Sequence, residues 1–143
     1  MKTIAFFYDV ISPYAHLAFE AWPQAMVGLS HRVRHVPVLF AGLLAQHGQL
    51  GPAEIAPKRD WTYRQVAWLA HRAGVRLDMP ASHPFNPLAL LRLGTACSLH
   101  AGAQGGTSRF VTEALFHHVW HGGGDPNDPH RLATLQRRLA APM

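Results

Sequence analysis

A serine and a proline placed together at the opening of a helix are the first residues in this chain that could do chemistry. In Phe6-Phe7-Tyr8-Asp9-Val10-Ile11-Ser12-Pro13-Tyr14 an apolar strand runs into a short turn, and Ser12-Pro13 starts the helix that follows. Serine is a favoured N-cap, and proline suits the first helical position, where its missing N–H is no loss. The Ser12 hydroxyl is therefore expected at the positive end of a helix dipole, beside unpaired backbone N–H groups, where an anion can be stabilised. Two readings stand at this point: a helix cap, or a hydrogen-bond donor to a bound anion. A serine hydrolase fits poorly, because Ile11-Ser12-Pro13 is not a Gly-x-Ser-x-Gly elbow. Pro13 also lacks the N–H that would help to build an oxyanion hole directly after the nucleophile.

The eleven histidines invite a metal reading. His117 and His121 lie four apart on one predicted helix face, but the position after His117 holds His118 where the familiar zinc helix carries Glu. Spacing suggests no third ligand, so no metal site is predicted. Cys97 is the single cysteine, which excludes an intramolecular disulfide and a Cys-x-x-Cys pair. It sits among apolar residues in a predicted helix and reads as a packed core thiol. Any thiol chemistry at Ser12 would then use a thiol from outside the chain. The thiolate is the reactive form, and a helix N-terminus with a hydroxyl donor lowers its pKa. Glutathione fits, with its carboxylates met by basic residues such as Lys58 and Arg59.

The chain that must position these groups has 143 residues, 48% of them hydrophobic and 15% charged. That length normally makes one domain with a buried core. Thirteen Lys and Arg against eight Asp and Glu give a net charge of +5, and the basic residues are scattered, with no run beyond Arg137-Arg138. Without interleaved aromatics, that pattern favours small anionic ligands over nucleic acid. No stretch reaches the roughly 18 apolar residues of a membrane span, and Met1-Lys2-Thr3 enters a strand too short for a secretory signal. A cytoplasmic location is the expectation.

Hydrophobic spacing predicts a strand over 3–8, apolar and hence buried on both faces. A helix over 13–27 follows, kinked or ended near Trp22 by Pro23 and stopped by Gly28. A second strand over 32–40 completes a βαβ unit, whose strands should be parallel. Residues 41–57 are rich in glycine and proline, with one helical turn over 43–47. Helices are then predicted over 58–73, ended by Gly74; from Asn86-Pro87 to 99, with leucines all round and so buried; over 108–121; and from Asp128-Pro129 through Leu139. Gly105-Gly106 and Gly122-Gly123-Gly124 are the breaks between the last three. The layout divides into an N-terminal βαβ unit, 1–40, and a helical region, 41–143.

Several ordered stretches carry a resemblance. They are Phe7-Tyr8-Asp9-Val10-Ile11-Ser12-Pro13-Tyr14, Pro37-Val38-Leu39-Phe40, Gly48-Gln49-Leu50-Gly51-Pro52-Ala53-Glu54 with Pro57-Lys58-Arg59, and Pro84-Phe85-Asn86-Pro87-Leu88 with Arg92. Together they resemble the 2-hydroxychromene-2-carboxylate isomerases, relatives of the kappa-class glutathione transferases within the thioredoxin superfamily. The resemblance implies an α/β, thioredoxin-like fold with a helical insertion. It also implies glutathione as cofactor and isomerisation of small aromatic carboxylates formed in aromatic degradation. Ser12 would activate the glutathione thiol, and Gln49, Lys58 and Arg59 would bind the rest of glutathione. Tyr14, Asn86 and Arg92 are the substrate-side candidates, for which packing, capping and a surface charge are the plainer roles. The thiol–disulfide oxidoreductases of the superfamily carry Cys-Pro-x-Cys where this chain has Ser12-Pro13-Tyr14-Ala15, so disulfide exchange is not expected. A kappa-like transferase and a non-catalytic remnant or binding module are the alternatives.

In that superfamily the scaffold continues past the insertion with two strands, the first starting at a cis-proline, and a helix. This sequence contains no such segment. The expectation is a truncated chain of reduced activity whose first strand is a bare apolar edge, unless a partner chain, such as a second copy in a homodimer, covers it.

Overall fold

The computed structural model describes residues 1–100 and 106–140, so Gly105 of the expected Gly105-Gly106 break lies outside the described residues. Strand β1 (Lys2–Tyr8), helix α1 (Pro13–Ala25) and strand β2 (His31–Pro37) form the βαβ unit. The strands pair in parallel, from Lys2 opposite His31 to Tyr8 opposite Pro37. Next come α2 (Phe40–Gln46), a 3-10 turn (Pro52–Glu54), α3 (Ala56–Ala73), α4 (Leu88–His100), α5 (Arg109–Trp120) and α6 (Pro129–Ala140). The fold is α/β, a βαβ unit followed by a mainly helical part. Among the described residues no helix is long and apolar enough to cross a membrane.

Local chemistry accounts for most helix ends. Ser12 caps α1 by accepting from the Ala15 N–H, and Ser108 caps α5 by accepting from Val111. The Asn86 carboxamide oxygen accepts from the Leu88 N–H at 3.0 Å, and Asp128 Oδ1 from Arg131 at 2.8 Å. Gly74 closes α3 in the left-handed region at φ +65°, which costs glycine nothing. Helix α1 runs through Pro23 to Ala25, past the break expected near Trp22. Pro23 stands two residues from the end, so it removes a single helical bond, to the Phe19 carbonyl, and leaves no long helix to disrupt.

The core gathers Tyr8, Val10 and Phe19 with Leu90, Leu91, Leu115, Phe116, Val119, Trp120 and Leu135. One face of the sheet joins it: Phe6 stacks beside Tyr8 and touches Trp22, and Tyr8 meets Phe116 at 5.3 Å between ring centroids. Gly94 lets α4 reach this core, since a Cβ there would lie 2.9 Å from Leu115 Cδ1. The Tyr8 hydroxyl enters a buried chain: it meets Thr107 Oγ1 at 3.2 Å, Thr107 meets Thr112 Oγ1 at 2.7 Å, and Thr112 donates to the Ser108 carbonyl at 3.0 Å.

Three expectations need correction. Strand β1 is not buried on both faces: Phe7 is 60% exposed, Ala5 is exposed too, and only the Ile4, Phe6, Tyr8 face turns toward the helices. Apolar residues on both faces therefore overstate its cover among the described residues. Strand β2 ends at Pro37 rather than 40, because Phe40 already begins α2, its N–H held by Asp9 Oδ2 at 2.9 Å. Helix α4 buries Leu90, Leu91, Gly94 and Ser98, while Arg92, Thr95 and Leu99 are exposed, so it is packed on one side and not all round.

The turn between β1 and α1 is pinned from several directions. Asp9, 4% exposed, accepts from the Ile11 N–H at 3.1 Å through one oxygen and from Phe40 through the other. The Trp120 indole N–H donates to the Val10 carbonyl at 3.0 Å, and the Ser12 N–H donates to the Asp9 carbonyl at 3.1 Å. Burial raises the Asp9 carboxyl pKa, and the two backbone N–H groups pull against that rise. Asp9→Ala would leave both N–H groups without their acceptor, each costing about 1–3 kcal/mol. Urea unfolding should show the variant less stable by more than a surface substitution, and a midpoint equal to the parent's would contradict this anchoring.

Burial lowers the pKa of His16, His35, His83 and His118. The unfolded chain then takes up protons below about pH 6.5 that the folded chain refuses, so stability is full above that value and falls as pH drops. Asp9 acts with the opposite sign, because its folded carboxyl is raised above the unfolded value of 3.8 and its contribution fades as pH rises from there, but it is one carboxyl against four imidazoles. The urea midpoint should therefore fall between pH 7.5 and pH 5, and a flat profile across that range would contradict the burial of these imidazoles.

Candidate functional site

Ser12 sits half-buried at the head of α1, with backbone φ −88° and ψ 116°. Its Oγ accepts from the Ala15 N–H at 3.2 Å. That bond uses a lone pair and leaves the hydroxyl proton for another acceptor. The cap and the donor therefore coexist in one side chain. Cys97 lies away on α4, half-buried, packed against the core and with its thiol pushed up by burial.

A chain of contacts leads from Ser12 to α3. The Ile11 carbonyl, one bond from the Ser12 nitrogen, accepts from His83 Nε2 at 2.8 Å. A carbonyl only accepts, so Nε2 carries the ring proton and Nδ1 is the acceptor for the Tyr63 hydroxyl, at 2.7 Å. Burial holds the His83 pKa below its usual value, with the Ile11 bond working the other way, which suits a neutral ring with one donor and one acceptor. The ring also packs on Trp120 at 5.6 Å and on Phe85 at 6.2 Å. Tyr14, the second residue of α1, donates from its hydroxyl to Gln65 Oε1 on α3, which ties the two helices together.

The other sequence-predicted residues stand apart to different degrees. Arg59 lies in the first turns of α3, one turn before Tyr63, and its charge is felt by the Tyr63 hydroxyl. Its contact with Asp60 is long, 3.8 Å between exposed groups, and so contributes little. Lys58 is exposed beside it, and Gln49 is exposed before the 3-10 turn, with its backbone N–H on the Leu44 carbonyl. Asn86 caps α4, and its carbonyl accepts from Asn127 at 3.2 Å. Arg92 is exposed on α4. Among the described residues no hydrogen bond or ion pair links Gln49, Lys58 or Arg92 to the Ser12 turn.

Sequence reasoning passed over Asp9, Tyr63, Gln65, His83 and Trp120 as parts of this site. Asp9 carried a signal, since an Asp two residues before an N–H in a turn is a local cap pattern. His83 and Tyr63 carried none, as their partners are distant in the chain. The His117 and His121 pair does come together, with rings stacked at 4.0 Å, but His117 Nε2 faces Glu20 Oε1 at 2.7 Å. Among the described residues no group of three His, Cys, Asp or Glu side chains is arranged to hold a metal ion. A cavity of about 410 Å³ lies between α5 and α6, lined by His117, His130, Arg131, Thr134 and Arg138 among others, and contains none of the predicted site residues.

A 2-hydroxychromene-2-carboxylate isomerase from Sphingobium xenophagum is 29% identical over 133 residues, which are 92% of this chain and 65% of the isomerase. Glutathione S-transferase kappa 1 from Rattus norvegicus is 27% identical over 79 residues, 55% of this chain and 35% of the transferase. A solved 2-hydroxychromene-2-carboxylate isomerase structure superposes with a TM-score of 0.78 at 19% identity, over 98% of this chain and 66% of that one, a likeness of fold. The chain thus spans just under two thirds of the isomerases that it matches. The family model for a DSBA-like thioredoxin domain matches residues 3–141. With a parallel βαβ unit and that match over nearly its whole length, the chain belongs to the DSBA-like thioredoxin domain family.

Proposed function

We propose that this chain supports glutathione-dependent cis–trans isomerisation of small aromatic carboxylates of the 2-hydroxychromene-2-carboxylate type, with Ser12 donating to the glutathione sulfur. The observation that carries the reading is the Ser12 hydroxyl, capping α1 through its lone pair while its proton is free to donate. The likeness to an isomerase over 92% of the chain supports it. Glutathione suits the turn because a helix N-terminus and a hydroxyl donor favour the ionised sulfur, and the chain's own thiol lies on α4. When bound, glutathione supplies a sulfur nucleophile that can add to and leave an activated double bond, which permits rotation between the two events.

The chain's own residues then have distinct tasks. Ser12 holds the sulfur in its charged form at a fixed point. Lys58 and Arg59, on the first turn of α3, meet a glutathione carboxylate, and Gln49 hydrogen-bonds its backbone. The Arg92 guanidinium is assigned to the substrate carboxylate, and Tyr14 and Asn86, beside their bonds to Gln65 and Leu88, line the substrate side. The second reading, a kappa-like transferase, is favoured by the 27% identity to the rat enzyme.

Product analysis separates the two. An isomerase leaves total glutathione unchanged over many turnovers, whereas a transferase consumes it mole for mole and leaves a stable conjugate. Ser12→Ala should lower turnover by roughly 10- to 100-fold, the worth of a hydrogen bond to a charged group. The lost cap should cost only about 0.5–2 kcal/mol of stability. Unchanged turnover in the Ser12→Ala protein would reduce Ser12 to a cap.

A further inference from the structure

We propose that His83, oriented by Tyr63, is the positioning residue of Ser12: its ring N–H grips the carbonyl of the peptide whose nitrogen is Ser12's own. The proposal rests on the reading of Ser12 as the working residue, but the geometry it invokes belongs to the protein without any ligand.

The connection is short. His83 Nε2 donates to the Ile11 carbonyl at 2.8 Å, and the Ser12 N–H on the other side of that peptide donates to the Asp9 carbonyl at 3.1 Å. The Ile11–Ser12 peptide is thus held at both polar ends, its orientation fixing where the Ser12 side chain leaves the backbone. The ring itself is fixed in turn. The Tyr63 hydroxyl, its one proton facing both Nδ1 at 2.7 Å and the His83 carbonyl at 3.0 Å, holds one edge of the ring, while the Ile11 carbonyl, which only accepts, makes Nε2 the proton-bearing nitrogen on the other. Trp120 and Phe85 pack on the faces left over. Trp120 also donates to the Val10 carbonyl, so both carbonyls preceding Ser12 are held by side chains from other elements.

The arrangement joins α3 to the turn through two side chains. Arg59, one turn before Tyr63, acts on the Tyr63 hydroxyl through its charge. A ligand carboxylate drawn to that part of α3 would therefore be bound close to the tyrosine that sets the His83 ring.

Amide hydrogen exchange in the free protein tests this. The Ser12 N–H, bonded to Asp9, and the Ala15 N–H, bonded to Ser12 Oγ, report the turn, and the Leu115 N–H in α5 reports the core. In His83→Leu, which keeps apolar bulk against Trp120, Ser12 and Ala15 should exchange about tenfold faster or more, relative to Leu115. His83→Gln, whose amide N–H can reach the Ile11 carbonyl, should recover most of the protection. Tyr63→Phe removes only a hydroxyl and should fall between. With glutathione added, its thiol should titrate at higher pH on His83→Leu than on the parent, followed by thiolate absorbance. Equal acceleration at Ser12, Ala15 and Leu115 would show general loosening and overturn the proposal. So would parent-like exchange at Ser12 and Ala15 in both His83→Leu and Tyr63→Phe. If the exchange pattern is as expected while glutathione binds neither parent nor variant, the positioning role stands and the glutathione reading falls.

Discussion

The reversal of the chain between β1 and α1 takes place inside the core, and the rest of the structure is arranged to make that tolerable. Tyr8, Asp9 and Val10 are all buried, so the polar backbone groups around them cannot turn to water. Each unsatisfied one would cost about 1–3 kcal/mol. The Asp9 carboxylate takes the N–H groups of Ile11 and Phe40, the Trp120 indole takes the Val10 carbonyl, and His83 takes that of Ile11. These partners come from the start of α2, the end of α5 and the segment before α4. The turn can therefore reach its final geometry only when all three have docked. One N–H for each Asp9 oxygen is the pairing that a carboxylate accepts, and at 4% exposure these two bonds work against the burial that raises its pKa.

Features set by neighbours in the chain were legible in the sequence, and features set by docking were not. Ser12-Pro13, Asn86-Pro87 and Asp128-Pro129 announce helix starts because a cap is a bond across two or three residues, and all three are made. The parallel pairing of β1 with β2 follows from the length of the crossover helix. By contrast, the exposure of Phe7 and the one-sided packing of α4 depend on which surfaces the other elements reach, and apolar composition alone cannot say. The candidate site divides the same way. Ser12 was readable as a local cap beside a dipole. Tyr63 and His83 were not, since His83 meets Ile11 across 72 residues of chain. Tyr14 turned out to bond Gln65, and Asn86 to cap α4, so two residues considered for substrate have structural bonds of their own.

Magnitudes decide why a rigid turn matters for the proposed chemistry. A helix dipole at a partly exposed terminus is worth about 0.3–1 kcal/mol to a nearby anion. A hydrogen bond to a charged group is worth about 1.5–3 kcal/mol. On the reading offered above, the Ser12 hydroxyl is then the larger contribution, and it is the directional one, weakening steeply as the donor angle closes. A dipole tolerates a loose turn, but a hydroxyl donor does not. A protein cysteine at this position would carry its sulfur on the turn itself and move with it. A sulfur brought in by glutathione has no such tether, so the burden of alignment passes to the protein. The pinning of the Ile11–Ser12 peptide by Asp9, His83 and, through Val10, Trp120 meets that requirement before any ligand arrives.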